Sequence, residues 1–305
     1  MRIIFMGTPD FAVASLKALL DAGESVVAVV TTPDKPAGRG QKIHQSAVKE
    51  FAVANNIPVL QPEKLRNPDF IAQLKSYNAD LQIVVAFRML PEIVWNMPPF
   101  GTINVHASLL PQYRGAAPIN HAIINGEKVS GVTTFLLQHE IDTGNVLLST
   151  AVDIAETDNA GILHDKLMIA GADTLIKTVD GLRNNTLNPI PQEKIETTEL
   201  KHAPKIFKED CLIDWNNTTE SIYNKIRGLS PYPASYTHLT GKVLKIYDVE
   251  KEISTQHHQV GEFFTDGKTF LKFSTTDGYI NLKTIQIEGK KRMTVDEFLR
   301  GFRFE

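Results

Sequence analysis

At 305 residues, 42% apolar and 22% charged, the chain has the composition of a globular protein long enough for two domains, which excludes wholesale disorder and fibrous classes. Thirty-two Lys and Arg against 35 Asp and Glu leave a formal charge of −3, which excludes binding to nucleic acid by bulk attraction alone. One cysteine, Cys211, excludes an internal disulfide framework, and no apolar run approaches the roughly 20 residues of a membrane span. The expectation is a soluble protein of a reducing cytoplasm.

In chain order, RIIFMG (2–7) and SVVAVVTT (25–32) are Val- and Ile-rich runs bounded by Gly, Pro or Asp, and predict buried strands. Between them Phe11, Val13, Leu16, Leu19 and Leu20 recur at helical spacing, and Gly23 supplies a stop. Strand, helix and strand in about 30 residues make a βαβ unit, hence a parallel sheet covered on both faces. The alternation continues with helices around 45–55 and 68–77 and strands IPVL (57–60), LQIVVAF (81–87) and GTINVHAS (101–108). A helix at 116–127, strands GVTTFLL (131–137) and NVLLSTAVDI (145–154) and a long helix over 158–183 follow. The predicted fold for residues 1–188 is α/β, a doubly wound, mostly parallel Rossmann-like sheet.

Residues 189–204 lie in a stretch with three prolines and no clean periodicity, and predict a linker. After a helix around 218–229 come KVLKIYDV (242–249), QVGEFF (259–264), TFLKFST (269–275) and GYINLKTIQI (278–287), with a short helix at MTVDEFLRGF. Closely spaced strands with Gly turns predict a small β-barrel or sandwich over 205–305, with an OB-like barrel the expected form.

FMGTPDFA occupies the first strand-to-helix turn but lacks two of the three glycines of a dinucleotide fingerprint, so a nicotinamide or flavin cofactor is disfavoured. A tight turn with Pro9 opening a helix accounts for it. Asn104 and His106 are two apart on a strand and share a face, near the carboxyl end where open α/β sheets place ligands. An amide beside an imidazole suits holding a carbonyl oxygen that becomes an oxyanion in acyl transfer, although a histidine satisfied by backbone has the same spacing. Asp142, in EIDTGNVLL, stands in an ordinary Asp-Thr-Gly turn; it gains interest as a partner for His106, since loops at strand carboxyl ends converge. TTPDKPAGRGQK (31–42) carries Lys35, Arg39 and Lys42 among prolines and glycines, and predicts a loop that is neither helix nor strand, a plausible arm for a phosphate backbone. The remaining histidines show no metal-ligand spacing, so no metal is expected.

Taken together, FMGTPDFA, PDKPAGRGQK, INVHASLLPQYRGAAPIN, IDTGNVLL, KIFKEDCLIDW and IRGLSPYPASYT resemble the methionyl-tRNA formyltransferase family over nearly the whole chain. The resemblance implies transfer of a formyl group from 10-formyltetrahydrofolate to the α-amino group of methionyl initiator tRNA, with Asn104, His106 and Asp142 as the catalytic triad. It further implies a folate-binding segment at Ser108, Leu109, Leu110 and Pro111, a pterin pocket lined by residues 86–91 and 141–144, and tRNA contacts by Arg39 and Lys42. Many members have Gly where Arg88 stands and one more residue before the following Pro, so loop 86–91 departs from the pattern. The alternative acceptor is an amino sugar nucleotide, whose enzymes would have no use for the PAGRG arm. Residues 205–305 hold 15 Lys and Arg against 14 Asp and Glu, so tRNA binding there needs cations gathered on one face, with Lys242, Lys245, Lys290, Lys291 and Arg292 as candidates.

Overall fold

The structure, a computed structural model, describes residues 1–37, 42–197, 199–255 and 258–303. The chain opens with β1 (Arg2–Gly7), α1 (Asp10–Asp21) and β2 (Ser25–Val30), then a short antiparallel ribbon of β3 (Lys35–Ala37) and β4 (Lys42–His44). Next come α2 (Ala47–Ala54), β5 (Val59–Leu60), α3 (Pro68–Ser76), β6 (Leu81–Val85), α4 (Glu92–Trp95) and β7 (Thr102–His106). They are followed by β8 (Arg114–Gly115), α5 (Pro118–Ile124), β9 (Val129–Leu136), β10 (Val146–Asp153) and the long α6 (Ala160–Arg183).

Seven strands form one sheet in the order β10-β9-β7-β6-β1-β2-β5. The β1–β2, β1–β6, β2–β5 and β6–β7 pairs are parallel, whereas β9 runs antiparallel to β7. Ile3, Ile4, Phe5 and Met6 are all 0% exposed, which requires cover on both faces and explains why this strand is apolar throughout. Local chemistry sets the helix starts: the Ser46 hydroxyl accepts from Lys49 N at 3.1 Å, and Asn67 caps α3 with Pro68 in its first turn. At Gly7 a Cβ would lie 2.6 Å from the Ala12 Cβ, so this glycine lets α1 approach the sheet.

The ribbon corrects one expectation, since residues 35–37 and 42–44 are strands. Each strand of a two-stranded ribbon has a free edge, so Pro36 opposite Ile43 need not break a ladder bond. Arg39 lies outside the described residues.

Contacts divide the chain into two compact units, each discontinuous in sequence. The first is Met1–Gly115, Ser130–Val152 and His164–His202; the second is Ala116–Val129, Asp153–Leu163 and the chain from Ala203 onward. After β11 (His202–Ala203), the second unit holds α7 (Thr219–Leu229), β12 (Ser235–Leu239), β13 (Lys242–Ile253) and β14 (Phe263–Thr265). It ends with β15 (Leu271–Ser274), β16 (Gly278–Ile287), β17 (Met293–Thr294) and α8 (Val295–Gly301). The antiparallel path is β12-β13-β16-β15-β14, with β17 on β16. Register shifts on either side of Asp248 bend the long β13, and β12 and β14 do not pair among the described residues, so the sheet is a curled half-barrel. Ile222 and Ile226 of α7 join Leu244, Ile246 and Ile285 in its core, and Trp215 stacks on Phe273 with ring centroids 4.6 Å apart. Helix α5 joins α7 within this unit: Asn120 Nδ2 donates to the Gly228 carbonyl at 2.7 Å.

Asp277 caps α7 from across the unit, its Oδ1 accepting from Thr219 N at 2.7 Å and from the Thr219 hydroxyl at 2.8 Å. The Thr219 backbone N–H, followed by the Thr219 and Thr275 hydroxyls, holds this carboxyl below its ordinary range against the opposing effect of burial. A depressed carboxyl contributes stability that is present above the unfolded value, near 4, and lost as pH falls through the folded one. Asp277→Asn should therefore lose less stability than the parent on acidification below about pH 4. Denaturant midpoints at neutral and acid pH check this, and parallel losses in the two proteins would contradict it.

Candidate active site

Strand β7 seats the two residues singled out by spacing. His106 is 6% exposed, and its Nε2 donates to the Tyr113 carbonyl at 2.9 Å. Tyr113 is in turn held by its backbone N–H, which donates to the Lys201 carbonyl at 2.7 Å. The ring stands edge-on to Phe135, centroids 6.5 Å apart. With Nε2 committed to a carbonyl, Nδ1 is the nitrogen left open, and it lies 4.0 Å from Asp142 Oδ2. Strand alternation puts Asn104 on the same side; it is half-buried, and its amide makes no hydrogen bond among the described residues. Two amide N–H groups and one imidazole nitrogen are thus left for a ligand.

Asp142 does not reach this place by the convergence of carboxyl-end loops. Because β9 is antiparallel, Leu136 pairs opposite Ile103 and Leu137 N donates to the Thr102 carbonyl at 2.8 Å, so the chain leaves β9 beside the start of β7. The loop then folds back to His106. Asp142 adopts a left-handed backbone, φ 56°, and its Oδ2 accepts from Gly115 N at 3.1 Å. At Gly144 a Cβ would lie 1.6 Å from the Leu136 carbonyl oxygen, so only glycine lets the loop return this closely.

Gln192, in the stretch read as a linker, was missed by the sequence. It is 2% exposed, and its Nε2 donates to the carbonyls of Asp142 and Gly144, each at 2.8 Å. Its Oε1 accepts from Arg114 Nε at 2.9 Å and Nη2 at 2.6 Å. No local pattern marks it, because its partners come from two distant parts of the chain.

Of the other predicted residues, Ser108, Leu110 and Pro111 are buried and Leu109 is half-buried. The Ser108 hydroxyl donates to the Gln112 carbonyl at 2.6 Å, and Leu110 packs with Phe135 and Val146. Arg88 donates to the carbonyls of Glu63, at 2.9 Å, and Pro62, and burial pushes its guanidinium below its ordinary value. Lys42 begins β4. In the second unit Lys242, Lys245, Lys290, Lys291 and Arg292 are exposed, and the Arg292 guanidinium lies 4.1 Å from the Tyr247 ring centroid. A cavity of about 450 Å³ opens beside the Asp142 loop, lined by Trp95, Gln138, His139, Glu140, Thr143 and Glu193. Among the described residues no group of three or more His, Cys, Asp or Glu is placed to hold a metal ion, and no helix is long and apolar enough to cross a membrane.

Two family descriptions match the chain: formyl transferase over residues 1–179, and formyl transferase, C-terminal domain, over 205–303. The methionyl-tRNA formyltransferase of Bacteroides thetaiotaomicron is 54% identical over 309 residues, covering 99% of this chain and 96% of the relative. That of Phocaeicola vulgatus is 56% identical over 311 residues, covering 99% and 96%. Among solved structures, the sugar 3N-formyl transferase WlaRD, in the presence of dTDP and 5-N-formyl-THF, superposes with a TM-score of 0.67 at 21% identity, covering 95% of this chain and 99% of that one; at that identity it speaks for the fold. With full-length relatives above 50% identity and matches in both halves, the chain belongs to the methionyl-tRNA formyltransferase family of formyl transferases.

Proposed function

We propose that this protein transfers the formyl group of 10-formyltetrahydrofolate to the α-amino group of methionyl initiator tRNA in the cytoplasm, using Asn104, His106 and Asp142. The observation that carries the reading is the approach of His106 Nδ1 to Asp142 Oδ2, 4.0 Å, with Nε2 tied to the Tyr113 carbonyl. Metal and nicotinamide play no part in it. A folate donor fits the family, and a structural neighbour was solved in the presence of 5-N-formyl-THF.

An α-amino group titrates near 8, so much of it is protonated at pH 7 and must lose a proton before it attacks. The amine nitrogen bonds to the formyl carbon, and the carbonyl electrons move onto oxygen. The Asn104 amide and a protonated His106 Nδ1 donate to that oxyanion, and the Asp142 carboxylate offsets the imidazolium charge. The carbon–nitrogen bond to the donor then breaks, and the proton given up by the amine leaves on the donor nitrogen, with water as carrier. Ser108, Leu109, Leu110 and Pro111 form the folate segment in this reading, acting through the backbone they order. Arg39 and Lys42 meet the acceptor end of the tRNA, and the C-terminal cations meet its phosphates.

Asn104→Ala and Asp142→Asn should each lower turnover, the first by about 100- to 1,000-fold, because one oxyanion donor is worth roughly 3–4 kcal/mol. Near-parent turnover in both folded variants would remove the triad assignment. Offering formyl donor with methionyl initiator tRNA or an amino sugar nucleotide should give a formylated tRNA; formylation of the sugar alone would favour the alternative acceptor. Arg39→Ala should raise KM for the charged tRNA and leave the folate KM near its parent value, and the reverse pattern would show that the arm serves the donor.

A further inference from the structure

We propose that Gln192 is a positioning residue for Asp142, and that Arg114 holds it in place. The inference rests on the catalytic reading of Asp142 given above. All four hydrogen-bonding positions of the Gln192 amide are used: both N–H groups donate to the loop carbonyls at 142 and 144, and the oxygen takes two bonds from one guanidinium. The arrangement closes on itself. Arg114 adjoins Gly115, whose N–H donates to the Asp142 carboxylate, so this pair secures the loop through the Gln192 amide on one side and directly by backbone on the other. The carboxylate is thus fixed at one end by Gly115 and the backbone at the other by Gln192.

Only glutamine has the chemistry this position asks for. Glutamate would still accept from Arg114, yet it would set an oxygen against two carbonyl oxygens. Leucine fills similar space and donates nothing, which leaves both carbonyls and the guanidinium without their partner. Asparagine is one methylene short of spanning the gap.

Gln192→Leu and Gln192→Glu should lower kcat on the order of 100-fold, with KM for tRNA and folate donor close to the parent, because a displacement of about 1 Å at a reacting group costs that much. In an Asp142→Asn background, which keeps a residue tolerant of the left-handed backbone, neither change should lower kcat further. Thermal unfolding of each variant confirms that folded protein is compared. Arg114→Lys, which keeps the charge and one donor, should give a smaller kcat loss that also disappears in the Asp142→Asn background, and it serves as the test if the Gln192 variants do not fold. Parent-like kcat in folded Gln192→Leu, or equal losses with and without Asp142, would overturn the positioning role. Parent-like turnover of Asp142→Asn itself would overturn the catalytic reading of Asp142, a different result.

Discussion

The antiparallel setting of β9 against β7 is the constraint on which the site depends. In a sheet parallel throughout, every strand would deliver its following loop to the same edge, and Asp142 would arrive near His106 without help. Here the pairing of Ile103 with Leu136 starts the loop at the opposite end of β7. A chain that begins there can meet His106 only by turning back along the strand it has just left. Gly144, whose missing side chain admits the Leu136 carbonyl, and the left-handed Asp142 are the local consequences of that return.

Such a return is costly for the backbone, and the magnitudes show what holds it. A non-glycine residue in a left-handed conformation costs about 1–2 kcal/mol. Each buried polar group deprived of its partner costs about 1–3 kcal/mol. Gln192 supplies two donors to the loop and takes two bonds from Arg114. Abandoning the returned conformation would strand several of these groups at once, which outweighs the relief of strain at one residue. The loop is held by polar satisfaction rather than by apolar burial. On the other side of His106, the Tyr113 carbonyl fixes which nitrogen faces Asp142, so the geometry of the pair is set from both partners.

How much of this was legible follows from the same physics. Strands β1, β2 and β6 were readable because strands covered on both faces are largely apolar along their length, as the fully buried Ile3–Met6 run shows. The β3–β4 ribbon was not, because its prolines and glycines argue against strand wherever a ladder must continue on both sides. Strand β12, Ser-Tyr-Thr-His-Leu, buries only alternate residues and carries little apolar signal. Asn104 and His106 were legible as a pair, since a spacing of two on a strand fixes a shared face whatever surrounds it. Asp142 stood out as a turn residue that could partner His106, with its place in the triad implied by the family resemblance, whereas Gln192 carried no signal. Their placement arises from a meeting of residues 114, 142 and 192 that no local period encodes. The grouping of 116–129 and 153–163 with the C-terminal half is likewise set by packing, through bonds such as Asn120 to Gly228.

The near-neutral charge of the chain acquires a different meaning once the second unit's ion pairs are counted by place. Lys272 pairs with Glu252 at 3.1 Å, Lys283 with Glu250 at 2.8 Å, and Lys251 with Glu156 and Glu220 at 2.7 and 2.6 Å. These cations are neutralised within the unit. Lys242, Lys245, Lys290, Lys291 and Arg292 have no acidic partner among the described residues. Lys245 lies in register with Gln286, and Gln286 accepts from the Tyr247 hydroxyl beneath the Arg292 guanidinium. The outward surface around Tyr247 therefore sets an exposed lysine and the Arg292 guanidinium beside an aromatic ring and an amide. Overall charge measures the bulk field, whereas a structured RNA meets only the face turned toward it. If this face meets the tRNA as proposed, few cations without an ion partner mean few released counterions, and affinity there would come from shape as much as from charge.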